Sequence, residues 1–491
     1  MKKAISLLAA LSMLLGCTAC GGSDSKPADT TAAPKTSDTT KPADTGKKET
    51  IKLYSFTDEV PNMVKKYIET HPDFAAKFEV KETIVPTTDG AYQPALDQAL
   101  QSDNVDMFCA EAAFVKKYTQ GDGAKYAAPF EDLGITDVAG KISSAKIAQY
   151  TVDIGSNPDG KVVGLGYQAT GGAFIYRRSL AQATFGTDDP KTIKTEIGPG
   201  WDQFWKAAEK LKAKGYGIVS GDGDIWHAVE NSSATGWLNA DGKLVIDPKR
   251  EDFFNMSKKL KDNGWHNDTQ DWTHAWYADM RDYGGSAEVD QEDGSKKTVS
   301  DSEIKTDDTK QIFGYFGPAW LINYVIKGQV NGTNKGEGTF GDWAICESPV
   351  GFFWGGTWVL GTKSASDAVK PGVAELIEWI TLDTTEDGLQ YKWANGTLNG
   401  EGGTKDSVAS GVVMEKSDGK LDLLDGQNMF DVFVPANSNA SGKTLTQYDE
   451  SINSIWRDQV RMYTSGQKTK EKAIADFKQK VKDDLDIQPA E

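Results

Sequence analysis

Beyond residue 50 the chain keeps switching its hydrophobic period between two and 3.6, and this alternation constrains the fold more than any other feature. Ile51-Lys52-Leu53-Tyr54-Ser55-Phe56 alternates as a short strand does, and Val60, Met63, Val64, Tyr67 and Ile68 then recur at helical spacing up to Pro72. Phe78–Val80 and Thr83–Val85 read as a second strand region, Pro94 opens a helix with Leu96, Ala99 and Leu100 on one face, and Val105–Ala110 is a buried strand ending at Glu111. Strand followed by helix, repeated, predicts an α/β sheet with helices on its faces. Ligands of such open sheets lie beyond the carboxyl ends of the strands, which directs attention to residues 55–59 and to Glu111. Further along, Asp159-Gly160, Asp241-Gly242 and Asp293-Gly294 are hairpin signals between strand-compatible runs. Trp201, Phe204, Trp205, Ala208 and Leu211 form a helical face closed by Gly215, and Ile474, Phe477, Val481 and Leu485 form another near the C-terminus. At 491 residues the chain accommodates two lobes of ordinary domain size.

The N-terminus carries a targeting signal rather than part of that fold. Lys2 and Lys3 precede an apolar run from Ala4 to Leu15, which is too short to span a bilayer and suits the core of a signal peptide. It ends in Leu14-Leu15-Gly16-Cys17, a sequence similar to a bacterial lipobox, in which the Cys becomes the lipid-bearing N-terminus. Cys20 is the second candidate, but a Cys three residues before it replaces the usual Leu, so Cys17 is preferred. Residues 18–49 contain two copies of Lys-Pro-Ala-Asp-Thr, at 26–30 and 41–45, and almost nothing apolar to bury, which predicts a disordered tether. The 29 residues 21–49, as a coil, span roughly 30 Å, enough to hold a domain just off a membrane.

Charge narrows the partners. Fifty-four basic against 72 acidic residues give a net charge of −18, which repels nucleic acid and anionic membrane surfaces. His71, His227, His266 and His274 make no metal-ligand or triad spacing, and Cys109 and Cys346 each lie in an apolar run as buried free thiols do. Asp290, Glu292, Asp293 and Gly294 faintly resemble a calcium loop without its full ligand set, so the reading is an acidic turn and no metal. No glycine loop of the phosphate-cradling kind is present, and no cofactor is expected.

The order of motifs resembles the family 1 extracellular solute-binding proteins, the maltodextrin-binding type of ABC-importer receptor. The strand Ile51–Phe56, the buried Val105-Asp106-Met107-Phe108 and the turn Asp159–Gly166 follow the family's succession. Phe174–Leu180 looks like its Tyr-Asn-Lys-Asp-Leu segment, with Arg177 for the Asn, and Gly200–Phe204 like its Thr-Trp-Asp-Glu-Phe helix start, with Gly for the capping Thr. Gly317-Pro318-Ala319-Trp320, Gly355–Leu360 with Ser364–Ser366, and Ser465–Ala473 complete the series over residues 50–487. The resemblance implies a two-lobed periplasmic-binding-protein-like α/β fold with a ligand cleft between lobes that close on the ligand. Residues 50–167 with approximately 358–425 would form lobe 1, and residues 168–357 with approximately 426–491 lobe 2. It further implies a monomer at the cell surface, lipid-anchored to the outer face of the cytoplasmic membrane, that passes a carbohydrate to the permease subunits of an ABC importer.

A sugar offers an apolar C–H face to Trp or Tyr and a rim of hydroxyls to Asp, Glu, Asn and Gln. Of 14 Trp, Trp201, Trp205 and Trp379 fit helical core faces. Trp320 and Trp354, in Gly-rich loop-like contexts, are the first candidates to line a cleft; Trp226 follows, and strand packing accounts for Trp358. Glu111 falls where the family presents a polar ligand contact, yet fits a helix N-cap equally well. Asp58, beside Glu59, follows the first strand and reads either as a contact or as a first-turn helix acid. Gln168, Thr170 and Gly356 lie where the chain would cross between lobes, and Asp224 lies in the loop-like Gly221–Trp226. A secreted glycoside hydrolase would use the same Trp and carboxylates, and a surface adhesin would need no cleft; motif order favours a receptor without catalytic residues.

Overall fold

A computed structural model of the chain describes residues 47–87, 90–290 and 295–490. Cys17, Cys20, the tether up to residue 46, and Glu292, Asp293 and Gly294 of the acidic turn lie outside the described residues.

The described residues form ten strands of three residues or more: β1 (Glu49–Ser55), β2 (Phe78–Ile84), β3 (Met107–Glu111), β4 (Gly164–Gly166), β5 (Ala173–Arg177), β6 (Ser286–Asp290), β7 (Lys296–Ser300), β8 (Gly314–Gly317), β9 (Trp343–Glu347) and β10 (Thr357–Gly361). A five-stranded sheet has the order β2-β1-β3-β10-β4, parallel except for β10. A three-stranded antiparallel sheet has the order β8-β5-β9, and β6 and β7 form a separate hairpin.

Alternation decides what each strand face covers. Met107 and Cys109 join an apolar cluster with Ile51, Leu53, Val60 and Met63, while Phe108 and Ala110 face the opposite cluster of Tyr92, Leu96 and Trp358. In the second sheet Phe174 and Tyr176 pack with Phe204, Phe253 and Trp456, while Ala173 and Ile175 face the other way. The helix Phe430–Asn439 packs on β5 and β9, and Phe430 and Phe433 belong to the same apolar cluster as the back of the first sheet. The first helix, Glu59–Thr70, stops before Pro72, and the helix Tyr92–Gln101 begins two residues before Pro94. Cys109 and Cys346 are both buried and free, one in each sheet.

Two segments carry the chain between the sheets: residues 167–172, from β4 to β5, and residues 348–356, from β9 to β10. They run antiparallel and are bonded together. Gly172 N donates to Phe352 O at 2.9 Å, Trp354 N to Thr170 O at 3.1 Å, and Thr170 Oγ1 to Gly355 O at 2.7 Å. Gly172 has no substitute here, since a Cβ would stand 1.9 Å from the Phe352 ring. Asn437 of the helix Phe430–Asn439 braces the pair by accepting from Gly171 N at 2.8 Å.

Candidate functional site

Strand direction puts the carboxyl ends of β1, β3 and β4 at the same edge as the start of β10, because Thr357 pairs with Glu111. In the second sheet the carboxyl ends of β8 and β9 share an edge with the start of β5, since Gly317 and Glu347 both pair with Ala173. The two connecting segments join these edges. A pocket with about 720 Å³ of space open to solvent lies there. Glu111, Ala112 and Ala113 line it from the first sheet; His227, Glu230, Asn231, Asp449, Glu450 and Asn453 from helices beside the second; Phe353, Trp354 and Gly355 from the connecting segment.

An aromatic wall is centred on Trp354, the tryptophan that lines the pocket. His227 stacks on Trp354 at 4.7 Å with 24° between planes. Trp320 meets Trp354 edge-on at 4.7 Å and donates its Nε1 hydrogen to the Trp354 carbonyl at 2.9 Å. Trp272 lies parallel to Trp320 at 5.9 Å and edge-on to Trp354 at 5.6 Å. Trp272 is 44% exposed and sits at φ +65°, a conformation in which a bulky residue is an outlier. Gly355, at φ +71°, leaves the space between wall and carboxylate: a Cβ there would lie 3.4 Å from Trp320 Nε1 and 3.6 Å from Glu111 Oε1.

Of the pocket's carboxyl groups, Glu230 and Asp449 are buried, Glu111 is half-buried and Glu450 is exposed. Burial raises the Glu111 carboxyl to about 7, against the bond its Oε2 accepts from Ala113 N at 2.8 Å. Burial likewise lifts Asp449 to about 7, against bonds from Thr446 and aided by the Glu230 charge. Burial would raise Glu230 too, but His227, Arg250 and Asn453 outweigh it and hold Glu230 below the usual range. A second polar group spans the cleft near the end of β1. Tyr324 donates its hydroxyl hydrogen to Glu59, and Gln168 Nε2 donates to Asp406 Oδ2 at 3.3 Å. Burial moves Glu59 to about 7 and Asp406 to about 8.

The sequence candidates therefore divide. Glu111, Trp320 and Trp354 converge, with Gly356 behind them, where its carbonyl accepts from Ala112 N at 3.0 Å at φ +116°. Gln168 belongs to the second polar group. Asp58 is exposed at the helix start and makes no capping bond, while its neighbour Glu59 makes the contact across the cleft. Thr170 is spent on the connecting segments, bonded to Gly355 O and to the Tyr150 hydroxyl. The loop expected around Asp224 and Trp226 is instead the helix Gly223–Asn231. Asp224 is buried and accepts from Ser220 N at 2.8 Å, Gly221 N at 2.9 Å and Trp276 Nε1 at 2.9 Å, so it fixes the helix start. Trp226 is 1% exposed against Phe253 and is core. One turn of helix separates Trp226 from the pocket residues Glu230 and Asn231, and His227 next to it is the residue whose ring reaches Trp354. His227, Asp449 and Glu450 carry no local motif. Trp272, in Gln270-Asp271-Trp272-Thr273-His274, was legible as a Trp in a polar run.

Among the described residues no group of three or more His, Cys, Asp or Glu could hold a metal ion, and no helix is long and apolar enough to cross a membrane. A family model described as bacterial extracellular solute-binding protein matches residues 62–419. No curated protein matches the sequence. Among solved structures, an extracellular solute-binding protein of family 1 is similar with TM-score 0.66 and 16% identity, over 87% of this chain and 97% of that one. The galacto-N-biose/lacto-N-biose I-binding protein of an ABC transporter from Bifidobacterium longum, in complex with lacto-N-biose, gives 0.60 and 15%, over 91% and 100%. The sugar-binding protein MalE from Xanthomonas citri gives 0.60 and 14%, over 89% and 97%. Likeness at these identities establishes the fold, two α/β lobes with a cleft between them.

Proposed function

The chain belongs to the bacterial extracellular solute-binding proteins, and from that premise we propose that it is the lipid-anchored receptor of an ABC importer, taking up a sugar or short oligosaccharide. The observation that carries the reading is the pocket itself, which places Trp354, with Trp320 and Trp272 packed at its edges, beside carboxylates and amides drawn from both sides of the cleft. A sugar ring needs both kinds of surface. Two of the similar structures are, by name, sugar-binding proteins or ABC-transporter binding proteins, which agrees with it.

The lobes in this reading are residues 50–167 with 358–425 and residues 168–357 with 426–491. The support is that β1 to β4 and β10 share one sheet, that β5, β8 and β9 share the other, and that the helix Asp449–Thr464 packs on Pro248–Asp262. Residues 167–172 and 348–356, with the third crossing that this division places near residues 425–426, are the hinge. Ligand contacts from both lobes favour closure because a ligand shifts such a balance only by its differential affinity for the two forms. The anchor is Cys17, on the strength of Leu14-Leu15-Gly16-Cys17 and the polar tether after it. The protein releases its ligand unchanged.

The test is a thermal-shift screen of the mature protein against a glycan panel, followed by incubation and product analysis of each hit. Binding raises the melting temperature. The expected outcome is a stabilising oligosaccharide recovered intact. Cleaved product would make the protein a hydrolase, and stabilisation by no sugar would remove the carbohydrate reading.

A further inference from the structure

The two ends of the cleft are built differently. Residues 440–448 join the helix Phe430–Asn439 to the helix Asp449–Thr464, and Leu445 and Thr446 of this strap line the pocket. The strap is held on both sides. Toward the first sheet, Leu445 packs with the apolar cluster of Phe108, Ala110 and Tyr118. Gln447 Oε1 accepts from Asp122 N at 3.1 Å while its Nε2 donates to Asp122 Oδ2 at 3.3 Å, and a Cβ at Gly442 would stand 2.4 Å from Ile154 Cγ1. Toward the second sheet, Thr444 O lies where a Cβ at Gly236 would stand 2.3 Å away, and Thr446 N donates to Asp449 Oδ1 at 2.9 Å. The pocket thus has a wall at the strap.

Sheet order sets where the other end lies. Ile154, under the strap, belongs to the helix Gln149–Gly155, which packs on β4. Tyr324, one turn on from Trp320, meets Glu59 after β1, and β3 and β10 stand between β1 and β4. That end carries exposed aromatic surface. The large apolar side chains most open to solvent among the described residues are Ile84, Trp272 and Tyr324, and two of these three flank Trp320. An exposed indole is ordinary by itself. Trp272 is unusual because its backbone is strained at φ +65° and is held there: Asp271 Oδ2 accepts from Arg457 Nη2 at 2.6 Å, Ser220 O accepts from Asn267 N at 3.0 Å, and Asp268 also has positive φ. A strained backbone persists where surrounding structure over-determines it, and here the result is to present an indole rather than bury it.

We propose that the site recognises one end of a linear oligosaccharide, with the terminal ring in the pocket between Trp354 and the strap and the next ring on Trp272. This rests on the carbohydrate reading above and narrows it to chains of two rings or more with one end unmodified.

The experiment is titration calorimetry of the mature protein with gluco-, xylo-, manno- and galacto-oligosaccharides, each from the monosaccharide to the hexasaccharide. In the series that binds, the disaccharide is expected to bind on the order of tenfold more tightly than the monosaccharide, as a second stacked ring gives. Trp272→Ala, at an exposed position, is expected to bring that ratio near one, and Trp272→Phe to restore part of it. A ratio near one in the parent, or one unchanged in Trp272→Ala, overturns the outer subsite and leaves the carbohydrate reading standing. The same chains are then blocked at the reducing end as aryl glycosides, or at the other end by a cyclic acetal. One blocked form is expected to bind like the free chain and the other at least tenfold more weakly. Leu445→Gly with Gln447→Ala, or Gln447→Ala alone where the pair does not fold, is expected to readmit the weak one. Both forms binding, both failing, or no readmission overturns end recognition at the strap. Binding by no member of any series overturns the carbohydrate reading and this one with it.

Discussion

Trp354 holds the site together because it touches everything the pocket needs: the His227 ring on its face, the Trp320 and Trp272 rings at its edges, and through its own carbonyl the Trp320 Nε1 hydrogen. Removing a stacking indole should cost binding about 1–3 kcal/mol, the range for exposing a large apolar side chain. Trp320→Ala and Trp354→Ala are therefore expected to weaken the screened ligand by calorimetry while circular dichroism stays that of the parent. If both bind like the parent, the wall is only packing. Trp226→Ala is expected to behave in the opposite way. That indole is 1% exposed in the core, so its loss should cost about 3–5 kcal/mol of stability in urea unfolding. Where the variant remains folded, affinity should hold, because Trp226 packs against Phe253 in the core and makes no ring contact with Trp354 or Trp320. The contrast also marks what could be read from the sequence at this scale. Trp320 and Trp354 were legible because glycines and prolines around them leave little local structure to bury an indole. Trp226 has glycines too, at Gly221 and Gly223, but Asp224 folds back onto Ser220 N and Gly221 N and starts a helix there. A side chain bonding its own backbone three and four residues away leaves no trace in hydrophobic periodicity.

At the level of elements, β1 followed directly from alternation, since Ile51 and Leu53 are buried between half-buried neighbours, whereas β3 is apolar at four successive positions and was read as a buried strand from that run. The second sheet was less legible, because Phe174-Ile175-Tyr176 is apolar throughout and such a run fits a helix as readily as a strand. The site depends on helices far apart in the chain, Gly223–Asn231 and Asp449–Thr464, and only tertiary packing brings them together. Their convergence buries acids, with a consequence for stability. Burial raises Glu59, Glu111, Asp279 and Asp449 to about 7 and Asp224 and Asp406 to about 8, from ordinary values of 4.5 for Glu and 3.8 for Asp. Each folded acid then keeps its proton over a pH range in which the unfolded chain has lost it, so the folded state binds more protons and stability falls as pH rises through that range. The window runs from about pH 4 to 8. Burial raises Asp106 and Glu450 in the same direction, while His266, held below its ordinary 6.5 by burial, pulls the other way on acidification. The melting temperature without ligand is expected to be higher at pH 5.5 than at pH 7.5 at constant ionic strength. A flat or rising profile over that interval would mean these carboxyls are ionised in the folded protein.

For the whole molecule the question is what holds the two sides of the cleft together. In the proposed two-lobe division the connecting segments, bonded to each other and to Asn437, are the hinge. Away from the hinge, Tyr324 reaches Glu59 across the cleft; it is 51% exposed and rides on a wide-turn helix, Leu321–Ile326, that follows directly from Trp320. Such one-turn π segments are uncommon and recur at functional sites. The aromatic wall and the cross-cleft bond thus share one element, and stacking of a ligand on Trp320 would be felt at Tyr324. A single hydrogen bond contributes about 0.5–1.5 kcal/mol net, enough to change an open–closed ratio by roughly twofold to tenfold. Tyr324→Phe deletes that bond while keeping the ring. The variant is expected to have a larger radius of gyration than the parent by small-angle scattering without ligand, and to return to the parent's compact value when ligand saturates it. Its affinity should fall by the same factor as its closed population, because ligand must now close the cleft unaided. Scattering curves that superimpose for the two proteins without ligand would show that Tyr324 and Glu59 do not govern closure.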